Sequence, residues 1–142
     1  MMEKSVSSER GRTVYWVEKT DSPLTLVFLP GLTANHHLFD RQVEAFSGQY
    51  SLLVWDAPAH GKSRPYRDFT YPHAAAELNS ILDAEGIRRA VLIGQSAGGF
   101  VAQSFYKKYA DMAYNFAKEN FSIEKMQHEY ESIYMFAGFH AK

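Results

Sequence analysis

The residues best suited to chemistry lie in Ala90-Val91-Leu92-Ile93-Gly94-Gln95-Ser96-Ala97-Gly98-Gly99-Phe100-Val101. A short apolar run rich in β-branched residues stops at Gly94, and a helix-like pattern begins directly after Ser96. A serine on a sharp strand-to-helix turn shows its hydroxyl to an incoming molecule, and glycines at 94 and 98 leave room for so tight a turn. The Ala97 amide, first in the helix, can face an oxygen on which negative charge develops. Types and spacing therefore fit a nucleophile elbow, with Ser96 as nucleophile.

A serine hydroxyl attacks well only when a base takes its proton. The chain has six histidines. His36 and His37 sit in a loop and could line a pocket; as neighbours they should point apart, so no metal site is expected from them. His60 reads as a loop hydrogen-bonder and His73 as a helix-start residue. Only His128 and His140 follow Ser96. His128 lies opposite the apolar stripe of its segment and reads as a solvated helix-face residue. Asp56, at the end of an apolar run, reads as a buried carboxylate bonding loop amides rather than as an acid in catalysis.

The elements that must position these residues follow from periodicity. Met1 to Gly11 is polar and reads as frayed. Thr13–Glu18 is β-branched and aromatic, a first strand. Leu24–Leu29, Ser51–Asp56 and the run before Gly94 are nearly continuous apolar stretches, as in strands buried on both faces of a parallel sheet. Between them, Phe39, Val43 and Phe46 fall at helical spacing. Thr70 caps a second helix, in which Tyr71, Ala74, Ala75, Leu78, Ile81 and Leu82 share a face. Val101, Phe105 and Tyr109 stripe a third. Strands alternating with helices predict a three-layer α/β sandwich with a mostly parallel sheet. Ligands in such sheets bind beyond the carboxyl ends of the strands. The loops after Leu29 and Asp56 and the turn at Ser96 converge there.

With these residues in place, the segment from Thr13 to Asp111 resembles the α/β-hydrolase family. Phe28-Leu29-Pro30-Gly31-Leu32 resembles the family's oxyanion loop, with proline before the glycine. Val54-Trp55-Asp56-Ala57-Pro58-Ala59-His60-Gly61-Lys62-Ser63 resembles its D-x-x-G-x-G-x-S segment, with Pro58 and His60 read at positions that are often glycine. Gly94-Gln95-Ser96-Ala97-Gly98-Gly99 matches the elbow. The resemblance implies a serine hydrolase acting on a small-molecule ester, thioester or amide, with no cofactor. Ser96 would be the nucleophile, and the Leu32 and Ala97 amides the oxyanion hole, each donor worth on the order of 3 kcal/mol. The acid and base of this family follow the serine in the chain. Here His140, in Phe136-Ala137-Gly138-Phe139-His140, resembles the glycine-flanked histidine loop and is the candidate base.

Residues after Asp111 read as helices, Met112–Lys118 and Ser122–Phe136, rather than as further strands. The expected organisation is a partial α/β-hydrolase core over 1–111, lacking the C-terminal strands, and a helical tail over 112–142. Residues Ala117–Met126, with Tyr130 and Tyr134, also bear a weak resemblance to the closing helix of GT-B glycosyltransferases. No sugar-nucleotide site accompanies it. At 142 residues the chain is long enough for one real core, and 46% hydrophobic content marks it as globular. A net charge of −1 gives no footprint for nucleic acid or an anionic membrane. The absence of cysteine suits a cytoplasmic protein. If the sheet stops at the nucleophile strand, its uncovered edge invites self-association, and the alternative function is a non-catalytic fragment or interaction module.

Overall fold

The computed structural model describes residues 1–120, with side chains described for residues 1–109. Met1–Lys108 form one compact unit and Tyr109–Lys142 a second. The sheet lies in the first. Its strands are β1 (Met2–Ser8), β2 (Gly11–Glu18), β3 (Thr25–Leu29), β4 (Ser51–Trp55) and β5 (Ala90–Gly94). Their order is β1-β2-β4-β3-β5. The sheet is mixed: β3 pairs in parallel with β4 and β5, while β2 pairs antiparallel with both β1 and β4. The parallel part is the part that carries the site.

Every residue of β3 and β4 is buried, as their unbroken apolar runs require. The described residues also form a 3-10 turn at His36–Phe39 and helices α1 (Asp40–Phe46), α2 (Tyr71–Ala84) and α3 (Ala97–Asn120). On one face Tyr15, Val17, Val27, Leu29, Leu53 and Trp55 pack against Leu78 and Ile81 of α2 and Val101 of α3. On the other, Leu26, Phe28, Leu52 and Val54 pack against Phe39 and the partly buried Val43 and Phe46. Two cores on opposite faces make the three layers. Thr70 caps α2 by accepting the His73 amide at 3.1 Å.

Two sequence expectations change. Residues 2–8, read as frayed, form β1. A strand with only Lys4 and Val6 half-buried carries almost no hydrophobic signal, and its hairpin with β2 supplies the order instead. The helical segments read on either side of position 111 run as the single helix α3. Ser122–Phe136, and with them the bulk of the glycosyltransferase-like stretch, lie outside the described residues. Among the described residues no helix is long and apolar enough to cross a membrane.

At the amino ends of the parallel strands, Glu85 ties the hairpin to α2. Its carboxylate accepts Lys4 Nζ at 2.9 Å and the Tyr15 hydroxyl at 2.7 Å, and pairs with Lys19 Nζ at 3.0 Å. Burial alone would push the Glu85 carboxyl up, but these donors outweigh it and hold it down at about 2. The Tyr15 phenol is pushed up, first by burial and then by the carboxylate it donates to.

Candidate active site

Ser96 stands between β5 and α3 with φ of 52°, the left-handed region. A non-glycine residue held there costs on the order of 1 kcal/mol or more, and persists only where the surroundings enforce it. The enforcement is visible in the glycines. A Cβ on Gly98 would overlap the Leu29 carbonyl oxygen, and one on Gly94 would lie 2.5 Å from the Gly98 carbonyl carbon. The Gln95 amide donates to the Leu29 carbonyl at 3.0 Å, and the Gly98 amide returns to the Gln95 carbonyl at 2.9 Å. The turn is thus fixed by backbone packed on backbone. Ser96 is exposed, while Ala97 behind it is buried.

The loop after β3 lies against this turn. A Cβ on Gly31 would sit 3.2 Å from the Ser96 Cβ and 3.0 Å from the Gln95 carbonyl oxygen. The Ala34 amide bonds the Gly31 carbonyl at 3.3 Å, closing a turn with Leu32 and Thr33 at its centre. Thr33 has φ of 63°, the third-position value of a type II turn, which normally calls for glycine. Leu32 at the tip is 53% exposed. The turn therefore presents the Leu32 segment beside the elbow.

Asp56, 1% exposed, links the loops. Its Oδ1 accepts the His36 amide at 2.9 Å and lies 2.8 Å from His36 Nδ1; its Oδ2 accepts the Lys62 amide at 2.7 Å. Two main-chain amides on one buried carboxylate is the arrangement the sequence suggests for it. Ser63, fully buried, completes the join by donating to the Asp56 carbonyl at 2.6 Å and accepting the Val14 amide at 2.8 Å. The left-handed positions of this second loop are Ala59, at φ of 68°, and Gly61, at 45°. The glycine-like sites are therefore 59 and 61, not Pro58 and His60, a misalignment that a repeat of small residues invites.

His36 and His37 do not point apart. Their rings meet at 4.0 Å, and His36 stacks on Trp16 at 3.6 Å. A carboxylate holds each Nδ1: Asp56 for His36, Asp40 at 3.0 Å for His37. His60 Nδ1 bonds the Pro58 carbonyl and His73 Nδ1 the Asp68 carbonyl. The polar contacts of His36 are to Asp56, not to Ser96. His128 and His140 lie outside the described residues. Among those described, no group of three or more histidine and acidic side chains could hold a metal ion. Sequence reasoning missed the pairing of His36 with Asp56. Its signal was a buried-type carboxylate after one strand and an unassigned histidine in the loop after the adjacent strand.

A five-stranded α/β sheet with a strained serine at the carboxyl end of β5 defines the class. Residues 25–115 match the alpha/beta hydrolase fold family, and the chain belongs to it. It is similar to 3-oxoadipate enol-lactonase 1 of Acinetobacter baylyi, 28% identical over 98 residues that make up 68% of this chain and 37% of that protein. It is also similar to a 2-hydroxy-6-oxononadienedioate/2-hydroxy-6-oxononatrienedioate hydrolase of a Pseudomonas species, 38% identical over 52% of this chain and 27% of that protein. The chain thus spans about a third of the length of these relatives. Among solved structures, Est816, described as an N-acyl homoserine lactone degrading enzyme, shares the fold with a TM-score of 0.70 and 23% identity. That match covers 75% of this chain and 41% of Est816.

Proposed function

We propose that this chain carries the nucleophile and oxyanion hole of a serine hydrolase acting on a small-molecule ester, thioester or amide. The observation that carries the reading is Ser96 itself: exposed, at φ of 52°, on a turn whose glycines leave no room for a Cβ. In the reaction Ser96 Oγ would give its proton to the base and attack the acyl carbon, whose oxygen would take its charge against the Leu32 and Ala97 amides. The alcohol, thiol or amine would leave with that proton, and water would then release the acid and restore the serine. The relatives, an enol-lactonase and a dioate hydrolase, support hydrolysis of small carboxylic compounds. In this proposal residues 1–111 form the hydrolase part and 112–142 a helical addition. The acid and base come from outside the described residues, and within this sequence His140 is the candidate base. A fluorophosphonate probe on the folded chain tests the reading. Labelling at Ser96, absent in Ser96→Ala, is expected; an unlabelled wild type would remove the activated serine.

The outer edge of β5, unpaired among the described residues, favours a second reading. Among the described residues β5 pairs only with β3, and Val91 on it is 44% exposed. An apolar, uncharged edge of this kind pairs readily with another strand. On this reading a second copy covers the edge and the serine is a relic. Concentration-dependent dimers in sedimentation, without probe labelling, would favour it; a clean monomer would argue against it.

A further inference from the structure

The loop that presents Leu32 is pinned at both ends, and only one pin belongs to the elbow. At its start the Leu29 carbonyl accepts the Gln95 amide at 3.0 Å. At its far end His36 is bound twice to Asp56, through its amide at 2.9 Å and through Nδ1 at 2.8 Å. Between the pins, Thr33 is a β-branched residue at φ of 63°, a conformation such residues avoid. Strain of that kind relaxes unless both flanks are held. The amide bond fixes one point, at the start of the short turn that ends in the buried Phe39. The imidazole adds a second point, and its ring is clamped between Trp16 at 3.6 Å and His37 at 4.0 Å. Asp56 is in turn rigid: it is 1% exposed, its other oxygen holds the Lys62 amide, and a Cβ on Gly61 would overlap that oxygen.

We infer that His36 is a positioning residue for the oxyanion hole: through Nδ1 and Asp56 it holds the strained Gly31–Ala34 turn so that the Leu32 amide faces the acyl oxygen at Ser96. The inference rests on the proposed role of Ser96. It assigns His36 no proton transfer. Its chemistry is recognition of a transition-state charge, so its loss should slow bond formation and leave binding of an uncharged acyl group nearly unchanged.

The test uses the full chain and three variants. His36→Asn keeps a donor where Nδ1 lies, His36→Gln moves the donor outward, and His36→Ala removes it. Fluorophosphonate labelling of Ser96 is resolved into probe affinity and maximal rate, and amide exchange is followed at Ala34 and His36. His36→Ala and His36→Gln should label about tenfold or more slowly at unchanged affinity, as loss of a hydrogen bond to a charged acceptor implies. Exchange at Ala34 should quicken by a similar factor, and His36→Asn should recover both readouts. Labelling equal to wild type in all three variants would overturn the inference and leave Ser96 standing. Equal slowing in His36→Asn and His36→Ala would overturn the role of Nδ1. If wild-type Ser96 is not labelled, the reading beneath the inference fails and the inference falls with it. The exchange data then show separately whether the clasp on the loop exists.

Discussion

The two ends of the sheet are each built on a buried carboxylate, and they use it differently. At the amino end, Glu85 gathers two lysines and a phenol, all side chains, around an ordinary helix terminus. Gly86 beside it has open space where a Cβ would go. At the carboxyl end, Asp56 gathers main-chain amides of two loops, and the backbone around it is strained at Thr33, Ala59 and Ser96. One end satisfies its charge with flexible side chains and stores no strain in its neighbours. The other uses its charge to hold loops in conformations they would not keep alone. The difference is what separates a cluster that stabilises from one that pre-organises a site.

The largest effect should come from adding one methyl group at each end. Gly98→Ala forces a Cβ into the Leu29 carbonyl, with backbone on both sides of the contact. We expect a loss of about 3–5 kcal/mol in urea unfolding, the range of severe core disruption. Gly86→Ala meets no atom and pays only for its left-handed φ of 66°, about 1 kcal/mol. Equal losses would show that the elbow is no more crowded than a helix end.

Next in size is the acid response of the amino end. Glu85 is held at about 2, below its ordinary 4.5. A depressed carboxyl adds stability that is present above the ordinary value and is lost as pH falls towards the folded value. The gap corresponds to about 3 kcal/mol, lost between about pH 5 and pH 2. Glu85→Gln should flatten that part of the stability profile. A wild-type profile as steep in the variant would place the acid sensitivity elsewhere.

The comparison also explains what the sequence made legible. Strands β3 and β4 announced themselves because both faces are buried and every residue is apolar or small. The tight turn at Ser96 was legible because only glycine fits at 94 and 98, so its geometry is written in residue types. Strand β1 was not, since an edge strand anchored by Lys4 and Val6 has no periodic signal, and its ladder with β2 is a long-range property. The pairing of His36 with Asp56 was hidden for a related reason. Twenty residues separate the partners, and only the parallel register of β3 and β4 brings their loops together. Glu77 is a similar case: it sits on the buried side of α2 because Ser8 and Tyr66 donate to it, and neither is near it in the chain.

The same isosteric change at both carboxylates sharpens the contrast. Asp56→Asn replaces one acceptor oxygen with a donor that must face the Lys62 amide or the His36 nitrogens, a cost of about 1–3 kcal/mol. Glu85→Gln should destabilise at neutral pH by a comparable amount, since two lysines lose their counter-charge. Only Asp56→Asn should slow fluorophosphonate labelling of Ser96. Slowing in both variants would mean that labelling follows global stability and that the two ends are not distinct.

The smallest change has the most informative sign. In Ser96→Gly the left-handed φ no longer meets a Cβ, so the strain at the elbow is released. Against this, glycine loosens the unfolded chain, which offsets part of the gain. The balance should leave the variant more stable by about 0.5 kcal/mol, measured by urea unfolding, while labelling is abolished. The corresponding change at Ala59, also left-handed but in the loop after β4, should give a gain of similar size with labelling retained. A stability gain at both positions, with function lost at only one, is the outcome expected if strain here is a general cost of holding two loops together and the hydroxyl is its local use. If Ser96→Gly were destabilising instead, the elbow would owe its conformation to contacts of the serine side chain rather than to the backbone packed around it. The account of the site as a pre-organised turn would then have to be given up.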